Sequence, residues 1–164
     1  MQVNVLMYNQ DDPKKCTAAK LVRFNLAKKI TNISRNTLTL NPFADSILLN
    51  SDKNKIQSIT GIDCSWNLAD QTFVKKFGGI SRKLPYLLAG NSVNFSKLGK
   101  LTTVEAIAAS LYLLGFENQS AELLDKFKWG HTFLDLNKNL LNDYQNATSE
   151  EEIRTIIREY GYQV

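Results

Sequence analysis

Residues 56–66 read IQSITGIDCSW. Ile56, Ile59 and Ile62, with the β-branched Thr60 between them, form a short apolar run of the kind that makes a buried strand. An acid, a thiol, a hydroxyl and an indole (Asp63, Cys64, Ser65 and Trp66) then arrive together. In a parallel sheet, ligands bind outside the carboxyl ends of the strands. Polar and aromatic groups crowded onto a strand tip therefore raise the question of a site.

The segments on either side fit such a sheet. VNVLMYN (3–9) reads as a first strand, stopped by the turn-forming NQDDP. TAAKLVRFNLAKKI (17–30) carries Ala18, Leu21, Val22 and Leu26 at helical spacing, with Thr17 as its cap. TLTL (37–40) is a second strand, followed by NPF and by one or two helical turns in ADSILL. WNLADQTFVKKF (66–77) predicts a helix, and LPYLLA (84–89) a fourth strand. Strands alternating with helical segments predict a mainly parallel α/β layer over residues 1–90. Residues 91–164 change texture. TTVEAIAASLYLLG (102–115) is an apolar helix, and ENQSAELLDKF, TFLDLNKNLLNDYQNA and SEEEIRTIIREYG follow at helical period, with Ser149 and Glu152 as a capping box. The expected class is α/β, with a helical second part over 91–164.

Composition narrows the function. The 164 residues contain no apolar run near the roughly 20 that a membrane helix needs, and the N-terminus has no basic region before its apolar stretch. Two cysteines, Cys16 and Cys64, build no disulfide framework, and no His/Cys/Asp cluster has metal-ligand spacing. The net charge is +4, unevenly spread: residues 1–35 hold seven basic side chains against two acids, and residues 117–164 hold five against nine. A basic N-terminal part is what a phosphate-bearing partner attracts, and also what an ordinary solvated lysine surface looks like.

The predicted strand ends are DDPKKCT, LNPF, DCSW and AGNSVNF. Leu40 and Pro42 offer walls for a flat ring. Thr17, Thr102 and Thr103 offer hydroxyls at helix starts, Trp66 an apolar face, and Asp63 a charge or a base. Each has a plain structural reading as well. Asp63 and Ser65 can cap the next helix, Trp66 can be core, and Asn91 and Asn94 are turn formers. His131, in KWGHTF, reads as a packed residue without a catalytic part. Glu105, inside an apolar helix, must be bonded, as a first-turn charge or a site residue.

Taken in order, DPKKCTAAKLVR, LNPF, DCSW, R-LPYLLAGNSVNF, LTTVEAIAASLYLLGF and FKWGHTFLDLN resemble the aminocarboxypropyl transferases of small-subunit ribosomal RNA in archaea and eukaryotes. The similarity runs from about Asp12 to Tyr144. GNSVNF stands where the family usually has ANPVNYG. The resemblance implies a SPOUT-like fold with a deep trefoil knot and S-adenosylmethionine as donor without a metal. The implied acceptor is N3 of a uridine or pseudouridine in small-subunit rRNA, free or in a pre-ribosomal particle, and the by-product is methylthioadenosine. It implies a cytoplasmic enzyme, taken as a monomer. It places the ribose at Thr17 and the Ile62 backbone, adenine between Leu40 and Pro42 with the backbones of Leu84 and Gly99 at its edge, and Thr103 near the donor. Trp66 is expected on the reacting arm, with Asp63 beside it as base or as binder of the arm's ammonium. Lys14, Lys15, Lys28 and Lys29 are the expected RNA contacts. The alternatives are a methyltransferase on the same fold and a non-catalytic ribosome-assembly factor.

Overall fold

The computed structural model describes residues 1–164. Its centre is a sheet of five strands: β1 (Gln2–Met7), β2 (Lys28–Ile30), β3 (Thr37–Leu40), β4 (Ser58–Asp63) and β5 (Ile80–Arg82). The order is β2-β1-β4-β3-β5 and every pairing is parallel. All six residues of β4 are buried, as a central parallel strand covered on both faces requires. From Thr103 onward every element is a helix: α3 (Thr103–Leu113), α4 (Glu117–Leu124), α5 (Gly130–Asn146) and α6 (Glu150–Glu159), after the short α1 (Thr17–Arg23) and α2 (Ala69–Phe73).

The topology fixes where a ligand can sit. After β1 the chain turns outward to β2, whereas after the neighbouring β4 it turns the other way, past β3, to β5. Two adjacent strands whose exits diverge leave a crevice at their carboxyl ends. That crevice lies between Met7 and Asp63, which pair in register.

Helix α3 is apolar on every side and is correspondingly buried. It packs on β4, α1, α4 and α5, and belongs to one cluster of 32 buried residues running from Val3 to Ile157. Gly61 lets it approach the sheet: a Cβ there would stand 2.9 Å from Ile107 Cδ1.

Several expected elements differ. The helix predicted over 17–30 stops at Arg23. Asn25 takes φ 55°, and the Leu26 and Asn25 amides turn back onto the Leu21 and Val22 carbonyls. Asparagine tolerates this left-handed geometry, which frees Lys28–Ile30 to pair with β1. The cap of α1 is Cys16, not Thr17: its sulfur accepts from the Ala19 amide at 3.3 Å. Residues 84–89 form no strand. Pro85 removes a ladder donor, and side chains hold the segment instead, Asn137 bonding both the Leu88 amide and carbonyl at 2.8 Å. The fifth strand is the preceding Ile80–Arg82. Ile47 bridges to Lys83, so ADSILL is not helical; the helical turn comes at Asn50–Lys55. There Asp52 accepts from the Leu49 amide and takes a two-pronged bond from Arg82 at 3.0 and 3.1 Å. The 66–77 helix is confined to a single 3-10 turn and α2. At α6, Ser149 accepts from the Glu152 amide, but the Glu152 carboxylate goes to Thr148, so the capping box is only half made.

Candidate donor and acceptor site

Asp63 ends β4 at the crevice and is 8% exposed. Its Oδ2 accepts from the Cys16 thiol at 3.2 Å, and its Oδ1 from the Thr103 hydroxyl at 2.9 Å. One strand tip is thereby tied to the starts of two helices, α1 and α3. Burial pushes the Cys16 thiol up to about 11, and the nearby Asp63 charge pushes it the same way. At neutral pH the group is therefore S–H and donates. Each carboxylate oxygen keeps a lone pair for a ligand. Asp63 caps no helix, and the 3-10 turn after it has no side-chain cap. Thr17 lies at the same junction, where its hydroxyl accepts from the Val104 amide of α3 at 3.3 Å.

Trp66 is a rim residue, 36% exposed, and its indole N–H donates to the Leu101 carbonyl at 3.0 Å. The Lys100 ammonium stands 4.7 Å from the ring centroid. The ring face thus already accepts a cation, as the quadrupole of an indole predicts.

Leu40 is buried at the end of β3, and Pro42 is exposed just beyond it. The Asp63 carbonyl faces β1, where it accepts from the Tyr8 amide at 3.1 Å. Successive peptide groups of a strand face opposite neighbours, so that of Ile62 faces the β3 side, past Thr60, the last residue β3 pairs. The Leu84 peptide groups make no hydrogen bond, and the Gly99 amide donates to the Leu87 carbonyl at 2.9 Å, with φ 70°. Ile62 and Leu84 thus keep free backbone groups, Leu40 and Pro42 stand at the end of β3, and the Trp66 ring face takes a cation. No three His, Cys, Asp or Glu side chains converge on a point that could hold a metal ion.

Glu105 explains itself here. It is fully buried. Its Oε1 accepts from the Gly90 and Asn91 amides at 2.7 and 3.0 Å. Its Oε2 accepts from Asn91 Nδ2, the Thr102 amide and the Thr102 hydroxyl at 2.9, 2.7 and 2.9 Å. The carboxylate is both a first-turn helix charge and the clamp that holds loop 88–102 on α3. His131 is a surface residue rather than a packed one, with Nε2 3.2 Å from Asp125. Its apolar neighbours in sequence face inward while it does not. The four expected RNA-binding lysines are exposed but form no single cluster. Lys14 and Lys15 precede α1 at the crevice, whereas Lys28 and Lys29 are consecutive on the edge strand β2 and so point to opposite faces of the sheet. Cys16, Lys100 and Asn91 carry no functional signal in the sequence beyond nearness to the strand-end clusters, which a linear reading does not connect.

The chain is similar to known proteins over most of its length. Residues 38–161 match the family described as "Ribosome biogenesis protein, C-terminal". Residues 1–32 match a model described as "Possible Fer4-like domain in RNase L inhibitor". An iron–sulfur cluster takes four cysteine thiolates, and these residues hold one, Cys16, so the match brings no cluster with it. The 16S rRNA aminocarboxypropyltransferase of Methanococcoides burtonii is 44% identical over 163 residues, covering 96% of this chain and 94% of its own. That of Saccharolobus solfataricus is 40% identical over 161 residues, covering 97% and 95%. Among solved structures, the SAM-dependent rRNA:acp-transferase Tsr3 from Vulcanisaeta distributa superposes with a TM-score of 0.87 at 32% identity, covering 99% of this chain and 90% of that one.

Proposed function

The chain belongs to the ribosome-biogenesis family that includes the 16S rRNA aminocarboxypropyltransferases, and from that premise we propose that it transfers the 3-amino-3-carboxypropyl group of S-adenosylmethionine to N3 of a uridine or pseudouridine in small-subunit rRNA. The observation that carries the reading is the tip of β4 at the β1/β4 crevice, which ends in the buried Asp63 carboxylate and, three residues on, carries Trp66, whose ring face takes a cation. In the reaction the bond from sulfur to Cγ of the arm breaks, its electron pair returns to sulfur, and methylthioadenosine leaves. The acceptor nitrogen forms the new bond and gives up its proton. A sulfonium is already activated, so the protein has to orient the arm and provide for that proton.

In this reading the residues divide the work. Thr17 and the Ile62 backbone take the ribose, Leu40 and Pro42 flank adenine, the Leu84 and Gly99 backbones read its edge, and Thr103 lies beside the donor. Trp66 packs on the arm in place of the Lys100 ammonium, and Asp63 acts as base or holds the arm's amino group. Residues 1–90 supply the sheet and the basic surface, and 91–164 complete the donor site. A SPOUT-like trefoil knot is part of the reading, as the family resemblance implies. No helix is long and apolar enough to cross a membrane. A cytoplasmic monomer acting on rRNA or a pre-ribosomal particle completes the reading, as the family resemblance implies.

The test is titration of S-adenosylmethionine followed by product analysis. Methylthioadenosine supports the proposal, S-adenosylhomocysteine assigns a methyltransferase, and no binding assigns an assembly factor. In the same assay Trp66→Ala is expected to weaken the donor by about 1–3 kcal/mol, roughly 5- to 150-fold. Unchanged affinity would make the indole a strut for Leu101 only. Exchanging Lys14, Lys15, Lys28 and Lys29 for Gln is expected to lower RNA affinity and to flatten its salt dependence by roughly 0.7–0.9 for each phosphate that the protein no longer neutralises. Because Lys14 and Lys15 sit at the crevice, they should account for most of it. An unaltered slope in filter binding would remove the lysines from the RNA surface.

A further inference from the structure

Residues 88–98 form a hairpin whose tip is built to be rigid. Leu88 bridges antiparallel to Leu98, the Ala89 amide donates to the Lys97 carbonyl at 3.0 Å, and the Ser96 amide donates to the Ala89 carbonyl at 2.7 Å. Asn91, buried and gripped by Glu105, accepts from the Val93 and Asn94 amides at 3.2 and 2.9 Å. Ser96 takes the left-handed φ of 62°, uncommon for a residue other than glycine. Yet this well-held tip presents Val93, 82% exposed, and Phe95, 57% exposed, to water. The core gains nothing from either side chain, and apolar groups held rigidly in solvent beside a site are the mark of a contact surface.

Charge says which partner. From Gln71 to Val104 the sequence has no acidic residue and six basic ones, Lys97 on the tip and Lys100 beyond it among them. Three residues after Lys97, Lys100 lies over Trp66, and the next residue, Leu101, receives the indole bond. The tip is therefore coupled to the donor site through a short, pinned path. An exposed aromatic ring on a segment that carries Lys97 and, three residues on, Lys100 suits an unpaired nucleobase with its phosphates.

We propose that the 91–97 tip is an RNA-reading element: Phe95 stacks on an unpaired base flanking the target nucleotide, and Lys97 contacts its phosphate. The inference rests on the proposed rRNA substrate and adds to it the residue that registers the RNA strand against the arm. The probe is an RNA hairpin carrying the target loop, with 2-aminopurine next to the reactive uridine, bound in the presence of S-adenosylmethionine. Wild-type protein should quench the fluorophore. Phe95→Ala should lose the quenching and bind about tenfold more weakly with donor affinity unchanged, and Phe95→Trp should restore both. Equal affinity and quenching in Phe95→Ala would overturn the assignment. So would a defect seen only on assembled small-subunit particles, which would give the tip to a protein neighbour. Donor affinity is read separately in the same samples, and failure of wild-type protein to bind it would remove the donor-site reading without touching the stacking result.

Discussion

Asp63→Asn is expected to lower transfer to an RNA hairpin by about 10²–10⁴-fold in single turnover, with a smaller loss of donor affinity. The amide keeps an oxygen for the Thr103 hydroxyl, now 2.9 Å away. On the other side its N–H₂ meets the Cys16 sulfur, which can accept, as it already does from Ala19. The fold should therefore persist, and a melting curve close to wild type is part of the expected result. What the amide lacks is the ability to take a proton and the charge to hold an ammonium. If the arm's amino group is the main partner, donor affinity falls more than transfer at saturation, because a charge-assisted bond is roughly twice as strong as a neutral one. Full turnover in the mutant would leave catalysis to positioning alone. The third role considered for this residue, helix capping, has no bond in the structure to support it.

Glu105→Ala is expected to be the most destabilising single change, by about 4 kcal/mol, read as a lower urea midpoint at unchanged slope. Truncation strands five donors that converge on one carboxylate: the amides of Gly90, Asn91 and Thr102, the Asn91 side chain and the Thr102 hydroxyl. Glu105→Gln should recover less than half of the loss. Both carboxylate oxygens accept, so the amide nitrogen must face donors whichever way it turns. The damage should extend to function, because the clamp holds the loop that ends at Lys100 and Leu101 against Trp66. A Gln variant as stable as wild type would mean that the loop is held by its own hairpin bonds.

The parallel sheet and the tip of β4 were legible in the chain itself. Ile56, Ile59 and Ile62 lead into burial, and Asp63 and Trp66 follow where a strand must end. The order of the motifs also identified the family, since a chain of DCSW, LPYLLAGNSVNF and TTVEAIAAS constrains more than any one of them. Local periodicity failed where a short-range and a long-range partner competed. Lys28–Ile30 continue the helical pattern of α1, but Asn25 breaks the helix and β1 offers an edge to pair with. LPYLLA has strand composition, yet Pro85 and the side chain of Asn137, from α5, take it out of the sheet. Sequence thus determined which residue types stand at the strand tip and which family the chain belongs to. Only the tertiary structure decided that Cys16, Asp63 and Thr103 meet, that Lys100 covers Trp66, and that Glu105 grips Asn91. Their partners lie 14 to 47 positions apart, and contacts between groups so separated depend on how α1, α3 and the 88–102 loop dock at the β1/β4 crevice, which no local spacing encodes.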